Sequence, residues 1–119
     1  MKIEEIAKLM VAKGRGILAA DESTGTMGKR LKSVNVESTE KNRLHFRETL
    51  FTSSAMKSSI SGVILYDETI KQSSKSKTIP ELINESGAIP GIKVDTGAKS
   101  LAGSTDEKIT EGLDGLRER

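Results

Sequence analysis

The sequence predicts an α/β protein built on a parallel sheet, and three features carry that expectation. Three times a glycine opens a short apolar run that ends on an aspartate: Gly16 to Asp21 (GILAAD), Gly62 to Asp67 (GVILYD) and Gly91 to Asp95 (GIKVD). These runs do not alternate strictly between apolar and polar residues, which suits strands buried on both faces. The stretches between them are each long enough for a helix and a return strand, as parallel neighbours require. Just past the runs come Asp21, Glu22 and Ser23, then Asp67 and Glu68, then Asp95 and Thr96. Polar residues at that edge of a parallel sheet are where α/β proteins place their chemistry.

Each element has its own local signal. Ile3, Ile6, Ala7 and Met10 recur at helical spacing, which predicts an amphipathic helix over the first dozen residues, ending near Gly14 and covering a surface. Strand one is Gly16 to Ala20, and Asp21 to Gly25 form a polar turn into a short helical segment at about Met27 to Ser33. Ser38 or Thr39 caps the next helix. Glu40 lies favourably against its positive end, and Leu44, Phe46, Leu50 and Phe51 supply a broad apolar face as far as about Ser53. Strand two is Gly62 to Tyr66, and the SSKSK stretch at 73–77 is expected as a solvated loop. Pro80 fits the first turn of a short helix and Gly87 its C-terminal cap, before strand three at Ile89 to Val94. Beyond Gly97 a polar loop (LAGSTDEK) leads to ITEGLDGLRER, expected as a helix weakened by Gly112 and Gly115. Strand three is then a long, apolar, unpaired edge of a kind that native proteins pair or cover. The expectation is the front of a larger domain.

Composition narrows the function classes. At 34% hydrophobic and 3% aromatic, 119 residues hold one modest domain with a thin core. Lys plus Arg number 19 against 17 Asp plus Glu, a net +2, with the basic residues scattered. Neither nucleic acid nor an anionic membrane is expected as a partner. The absence of cysteine fits a reducing compartment and excludes disulfides and thiolate metal sites. The single histidine, His45, is expected in solvent on the capped helix, and with no cysteine a transition-metal site is not expected. MKIEEIAKLMVAKG carries Glu4 and Glu5 and no uninterrupted apolar stretch, unlike a signal peptide or a spanning helix. A cytoplasmic protein is the expectation.

Two glycine strings suggest nucleotide binding and fail on context. Gly14, Gly16 and Ala19 match GxGxxA but precede and enter their strand, whereas the dinucleotide motif follows one. Gly25 to Lys29 (GTMGK) has two residues between its glycines where a P-loop has four, and Arg30 stands where that loop has Ser or Thr. What remains in ADESTGTMGKR is a strand-end carboxylate, the hydroxyls of Ser23, Thr24 and Thr26, and the cations Lys29 and Arg30. Hydroxyls, helix-start N–H groups and a guanidinium together suit a phosphate; an ordinary capping turn uses the same hydroxyls. Lys93 stands inside an apolar strand, where a charge is costly without a polar cavity or a partner. Alternation sets it opposite Ile92 and Val94, either to hold a phosphate or carboxylate or to pair with Asp95 or Glu68.

In succession, GRGILAADESTGTMGKRL, STEKNRLHFRETLFT, SGVILYDETIKQ, GIKVDTGAKSLAGS and TEGLDGLRER closely resemble the N-terminal part of class I fructose-bisphosphate aldolase, over about Gly14 to Arg119. The resemblance implies a (β/α)₈ TIM barrel of which residues 1–119 form about three β/α units, truncated after the third strand and the start of its following helix. It implies a glycolytic lyase that cleaves fructose 1,6-bisphosphate reversibly into dihydroxyacetone phosphate and glyceraldehyde 3-phosphate through a lysine Schiff base, without cofactor or metal, usually as a homotetramer. Matched residue by residue, Asp21 takes the place of a catalytic aspartate near the Schiff base. Ser23, Thr26 (Ser in many relatives), Arg30, Arg43 and Lys93 take places that contact the sugar phosphate. The family's Schiff-base lysine, its acid/base glutamate, a further catalytic lysine and the loop for the other phosphate belong to later strands, so the isolated chain is expected to be inactive. Two other classes stay open on the residues: a standalone phosphosugar-binding or assembly module, and a flavodoxin-like binding protein.

Overall fold

The computed structural model describes residues 1–119. Its centre is a three-stranded parallel sheet of β1 (Gly16–Ala20), β2 (Ile60–Leu65) and β5 (Ile89–Ile92), in the order β1-β2-β5. Ala20 lies opposite Leu65, and Leu65 opposite Ile92, so the three strands end level. Successive strands are neighbours and the winding never reverses. That is how a barrel is laid down, whereas a flavodoxin-like sheet reverses beside its first strand. The three strands lie where the sequence predicts them, within two residues at each end.

Helices cover one face. Between β1 and β2 come α2 (Thr24–Ser33), α3 (Glu40–Phe51) and α4 (Ser54–Ser59), and between β2 and β5 come α5 (Asp67–Ile70) and α6 (Ile79–Glu85). Phe51, Met56, Ile79, Ile83 and Ala88 pack with Ala20, Val63 and Leu65 of the strands into one core. Strand side chains alternate, so the opposite face carries Ile17, Ala19 and then Asp21 on one strand, Gly62 and Ile64 on the next, and Gly91 and then Lys93 on the third. This face has no helix over it, and Ile17 is 48% exposed. α1 (Ile3–Met10) closes the N-terminal end of the sheet: the Ser61 hydroxyl donates to the Met10 carbonyl at 2.7 Å, and a Cβ at Gly62 would overlap Met10 Sδ.

The caps follow the sequence. Thr39 accepts from the Asn42 N–H and starts α3, Thr78 and Glu81 form a reciprocal capping box on α6, and Gly87 leaves that helix with φ +85. Ser53, at the expected end of α3, instead caps α4, an element the sequence reading passes over. α2 begins at Thr24, three residues early, because Ser23 caps it.

Three expectations are corrected. The inward face of α3 is Arg43, Arg47 and Phe51, with Leu44, Phe46 and Leu50 only partly buried. Stretch 73–77 is not wholly loop: β3 (Ser73–Ser74) and β4 (Lys77–Thr78) form a minimal antiparallel hairpin around Lys75, which has φ +56. The region expected as a loop and a C-terminal helix is a second hairpin, β6 (Gly97–Ser100) with β7 (Lys108–Glu111), followed by one 3₁₀ turn at Leu116–Glu118. Ile109 and Thr110 favour an extended chain, and Gly112 and Gly115 sit at φ +152 and +70, incompatible with a helix.

β5 pairs with β2 alone, as expected, and β1 likewise has one neighbour. No helix is long and apolar enough to cross a membrane.

Candidate active site

The level strand ends open onto a cleft of about 490 Å³ lined by Ser23, Tyr66, Asp67, Lys93, Asp95, Thr96, Gly97 and Arg119. Lys93 follows the last residue of β5 and is still tied to the sheet, its N–H donating to Leu65 O at 2.8 Å. Its ammonium donates to Asp95 at 2.7 Å and to Asp21 at 3.3 Å. Asp21 follows β1 on the same open face, so two strand ends contribute to one cluster. The hydrogen bond to Asp95, then that to Asp21, raise the Lys93 pKa above its ordinary value against partial desolvation. The same bond lowers Asp95. One ammonium shared by two carboxylates stays protonated at neutral pH and can exchange Asp95 for an incoming anion.

On the β1 side, Ser23 Oγ accepts from the Thr26 N–H at 3.3 Å and donates to Thr26 Oγ1 at 3.2 Å. Both hydroxyls therefore stand at the start of α2, where N–H groups point outward. Arg30, one turn further and 57% exposed, is paired with Glu22. Glu22 also approaches Arg47 Nη2 at 3.6 Å, and Arg47 is wholly buried. Burial lowers the Arg47 pKa, partly offset by the charge of Glu22.

Arg43 lies elsewhere. Its Nε and Nη2 donate to the two oxygens of Glu68 at 2.9 and 2.7 Å, and Nη1 donates to Ser38 O at 2.7 Å. The Glu68 hydrogen bond raises Arg43 and the reciprocal bond lowers Glu68. The structure thus gathers Asp21, Ser23 and Lys93 at the cleft, with Thr26 and Arg30 beside it on α2. It sets Arg43 behind α5 with every nitrogen engaged. Glu68 is held there too, so Lys93 pairs with Asp95 and not with Glu68.

Sequence reasoning overlooked Arg47, Tyr66 and Arg119, and named Thr96 only as a polar residue past the third run. The signal for Arg47 was its spacing of four from both Arg43 and Phe51 on one helix. Tyr66 closes the second apolar run and stands over the cleft. No three His, Cys, Asp or Glu side chains converge as metal ligands would.

The model of the family Fructose-bisphosphate aldolase class-I matches residues 2–119. The chain belongs to the class I fructose-bisphosphate aldolase family. A probable class 1 aldolase of Xylella fastidiosa (strain Temecula1) is 53% identical over 119 residues, covering 99% of this chain and 36% of the relative. Aldolase B of Gallus gallus is also 53% identical, over 98% of this chain and 33% of its own length. The cytoplasmic isozyme of Cicer arietinum is 55% identical over 107 residues. Among solved structures, the aldolase of Plasmodium falciparum, in complex with TRAP and a small-molecule inhibitor, superposes with a TM-score of 0.88 at 42% identity. That match covers 96% of this chain and 33% of the other. The chain spans about a third of the length of the aldolases it matches, and its sheet is a partial TIM barrel.

Proposed function

We propose that residues 1–119 supply the first strands of a fructose-bisphosphate aldolase, which cleaves fructose 1,6-bisphosphate reversibly in glycolysis through a Schiff base on a lysine outside this stretch. The Asp21–Lys93–Asp95 cluster over an open strand-end cleft carries the proposal. A Schiff-base lysine must be neutral to attack a carbonyl, and burial or a neighbouring cation normally makes it so. Lys93 has the opposite setting, between two carboxylates that hold its proton. It suits a fixed charge beside a phosphate or a developing oxyanion. Asp21, held opposite it, is placed to move a proton at the carbon being cleaved.

Ser23, Thr26 and Arg30 bind the phosphate nearest α2, with Arg30 exchanging Glu22 for the dianion. Arg43 contacts substrate in this reading only if it releases Glu68 and Ser38; in the arrangement seen it braces α3 against α5. Tyr66 and Thr96 line the cleft without a charge of their own. The reaction needs no metal or cofactor, and the working enzyme is a cytoplasmic homotetramer. Residues 1–119 alone, lacking the nucleophile, are inactive.

The test joins residues 1–119 to the remainder of the Xylella fastidiosa relative and measures cleavage of fructose 1,6-bisphosphate. The joined protein is expected to turn over, and Lys93→Met and Asp21→Asn to reduce kcat/KM by about a hundredfold or more, as loss of a charged group acting in the transition state does. A folded joined protein without cleavage, or full activity in both variants, would contradict the assignment.

A further inference from the structure

We propose that Arg47 is a positioning residue, a buried guanidinium that fixes the main chain on both sides of Asp21 and so sets its carboxylate opposite Lys93. The proposal rests on the reading of Asp21 and Lys93 as working groups of the aldolase site. Its basis is where the donors of Arg47 go. Nε donates to Ala20 O at 3.2 Å and Nη2 donates to Glu22 O at 2.6 Å. These are the carbonyls of the residues before and after Asp21. The ladder between β1 and β2 ends at Ala20 opposite Leu65, so Asp21 and Glu22 have no strand to hold them. The planar fork of α3 takes over where the ladder stops, and two donors on one rigid group leave the peptide units around Asp21 little freedom.

A purely structural reason for Arg47 is hard to sustain. The residue has no exposed surface, and an apolar side chain of similar volume fills such a space at lower cost than a guanidinium. Its hydrogen bonds go to the strand end alone, and Nη1 has no partner. Glu22 supplies the counter-charge at 3.6 Å and grips Arg30 with its other oxygen. The exposed cation of α2 and the carboxylate of β1 are thereby registered to one buried anchor. Such registration matters because a displacement of about 1 Å in a reacting group costs on the order of a hundredfold in rate.

The test uses residues 1–119 joined to the remainder of the Xylella fastidiosa relative, with the variants Arg47→Lys and Arg47→Gln. Ile83→Val, in the core on α6 and remote from the cleft, serves as the control for lost stability. Both Arg47 variants are expected to lower kcat by tenfold or more while KM for fructose 1,6-bisphosphate changes less than threefold. They should also loosen the Asp21–Lys93 contact, seen by NMR as a downward shift of the Lys93 titration. Ile83→Val should change neither. Unchanged kcat and an unchanged Lys93 titration in a folded Arg47 variant would overturn the proposal. If the parent joined protein folds but shows no cleavage, the aldolase reading fails, and the Lys93 titration still decides whether Arg47 sets the strand end. If neither Arg47 variant folds, proton exchange at Arg47 Nε in the parent protein decides: protected exchange supports the clamp, and exchange as fast as in a solvated guanidinium overturns it.

Discussion

Charge pairing at Lys93 and at Arg43 shows how the same chemistry serves two ends. Lys93 keeps a partner that an anion can displace, since it and Asp95 line a cleft. Arg43 keeps Glu68 in a two-point contact, with side-chain exposures of 10% and 24%, so that pair works as a brace. The pH dependence of the brace follows from the lowered Glu68 pKa. A carboxylate depressed on folding contributes stability above its unfolded value, near 4.5, and loses it as pH falls through the folded one. Glu68→Gln in the joined protein should therefore cost about 2 kcal/mol at pH 7, within the range for hydrogen bonds to charged groups. The gap to the parent protein should close as the pH is lowered below about 4.5. Unfolding free energies measured across that range check it, and a gap independent of pH would show that the loss comes from packing. Of the residues that meet at the strand ends, Asp21 and Lys93 were legible because a strand end and a charge in an apolar run are visible in one dimension. Arg47 was not, since its reason for burial is a pair of main-chain carbonyls more than twenty positions away.

The strands were legible as elements because a glycine-to-aspartate apolar run overlaps each, although only β1 begins at its glycine. Helix α3 was legible in extent and misjudged in orientation. Its apolar residues suggested a face of leucine and phenylalanine, but the polar end of β1 and the acid on α5 draw Arg47 and Arg43 inward. The C-terminal stretch was misjudged in type: it was expected as a helix merely weakened by its glycines, whereas the β-branched Ile109 and Thr110 lie in a strand. Gly112 is the residue that enforces the extended form, at φ +152 with a hypothetical Cβ overlapping Val94 O. Gly112→Ala should cost on the order of 1–3 kcal/mol, the usual cost of a non-glycine residue in such a conformation. Gly25→Ala, in α2 with open space around it, should instead stabilise by about 0.4–1 kcal/mol. Thermal unfolding of both variants checks the pair, and equal shifts would contradict the backbone geometry.

The molecule as a whole is a sheet with helices on one face, a bare second face and two open edges. Barrels resolve all three features at once: closure pairs the edges and encloses the bare face. Asp21 and Lys93 already lie on the face that closure would turn inward, at the end where the strands stop. On the proposed reading the cluster supplies a proton-transfer group and a fixed cation, and the covalent step falls to the remainder of the barrel. Borohydride reduction in the presence of dihydroxyacetone phosphate, followed by mass spectrometry, tests that division directly. The joined protein should be trapped on a single lysine outside residues 1–119, with Lys93 unmodified. A specific adduct on any lysine within residues 1–119 would contradict the account.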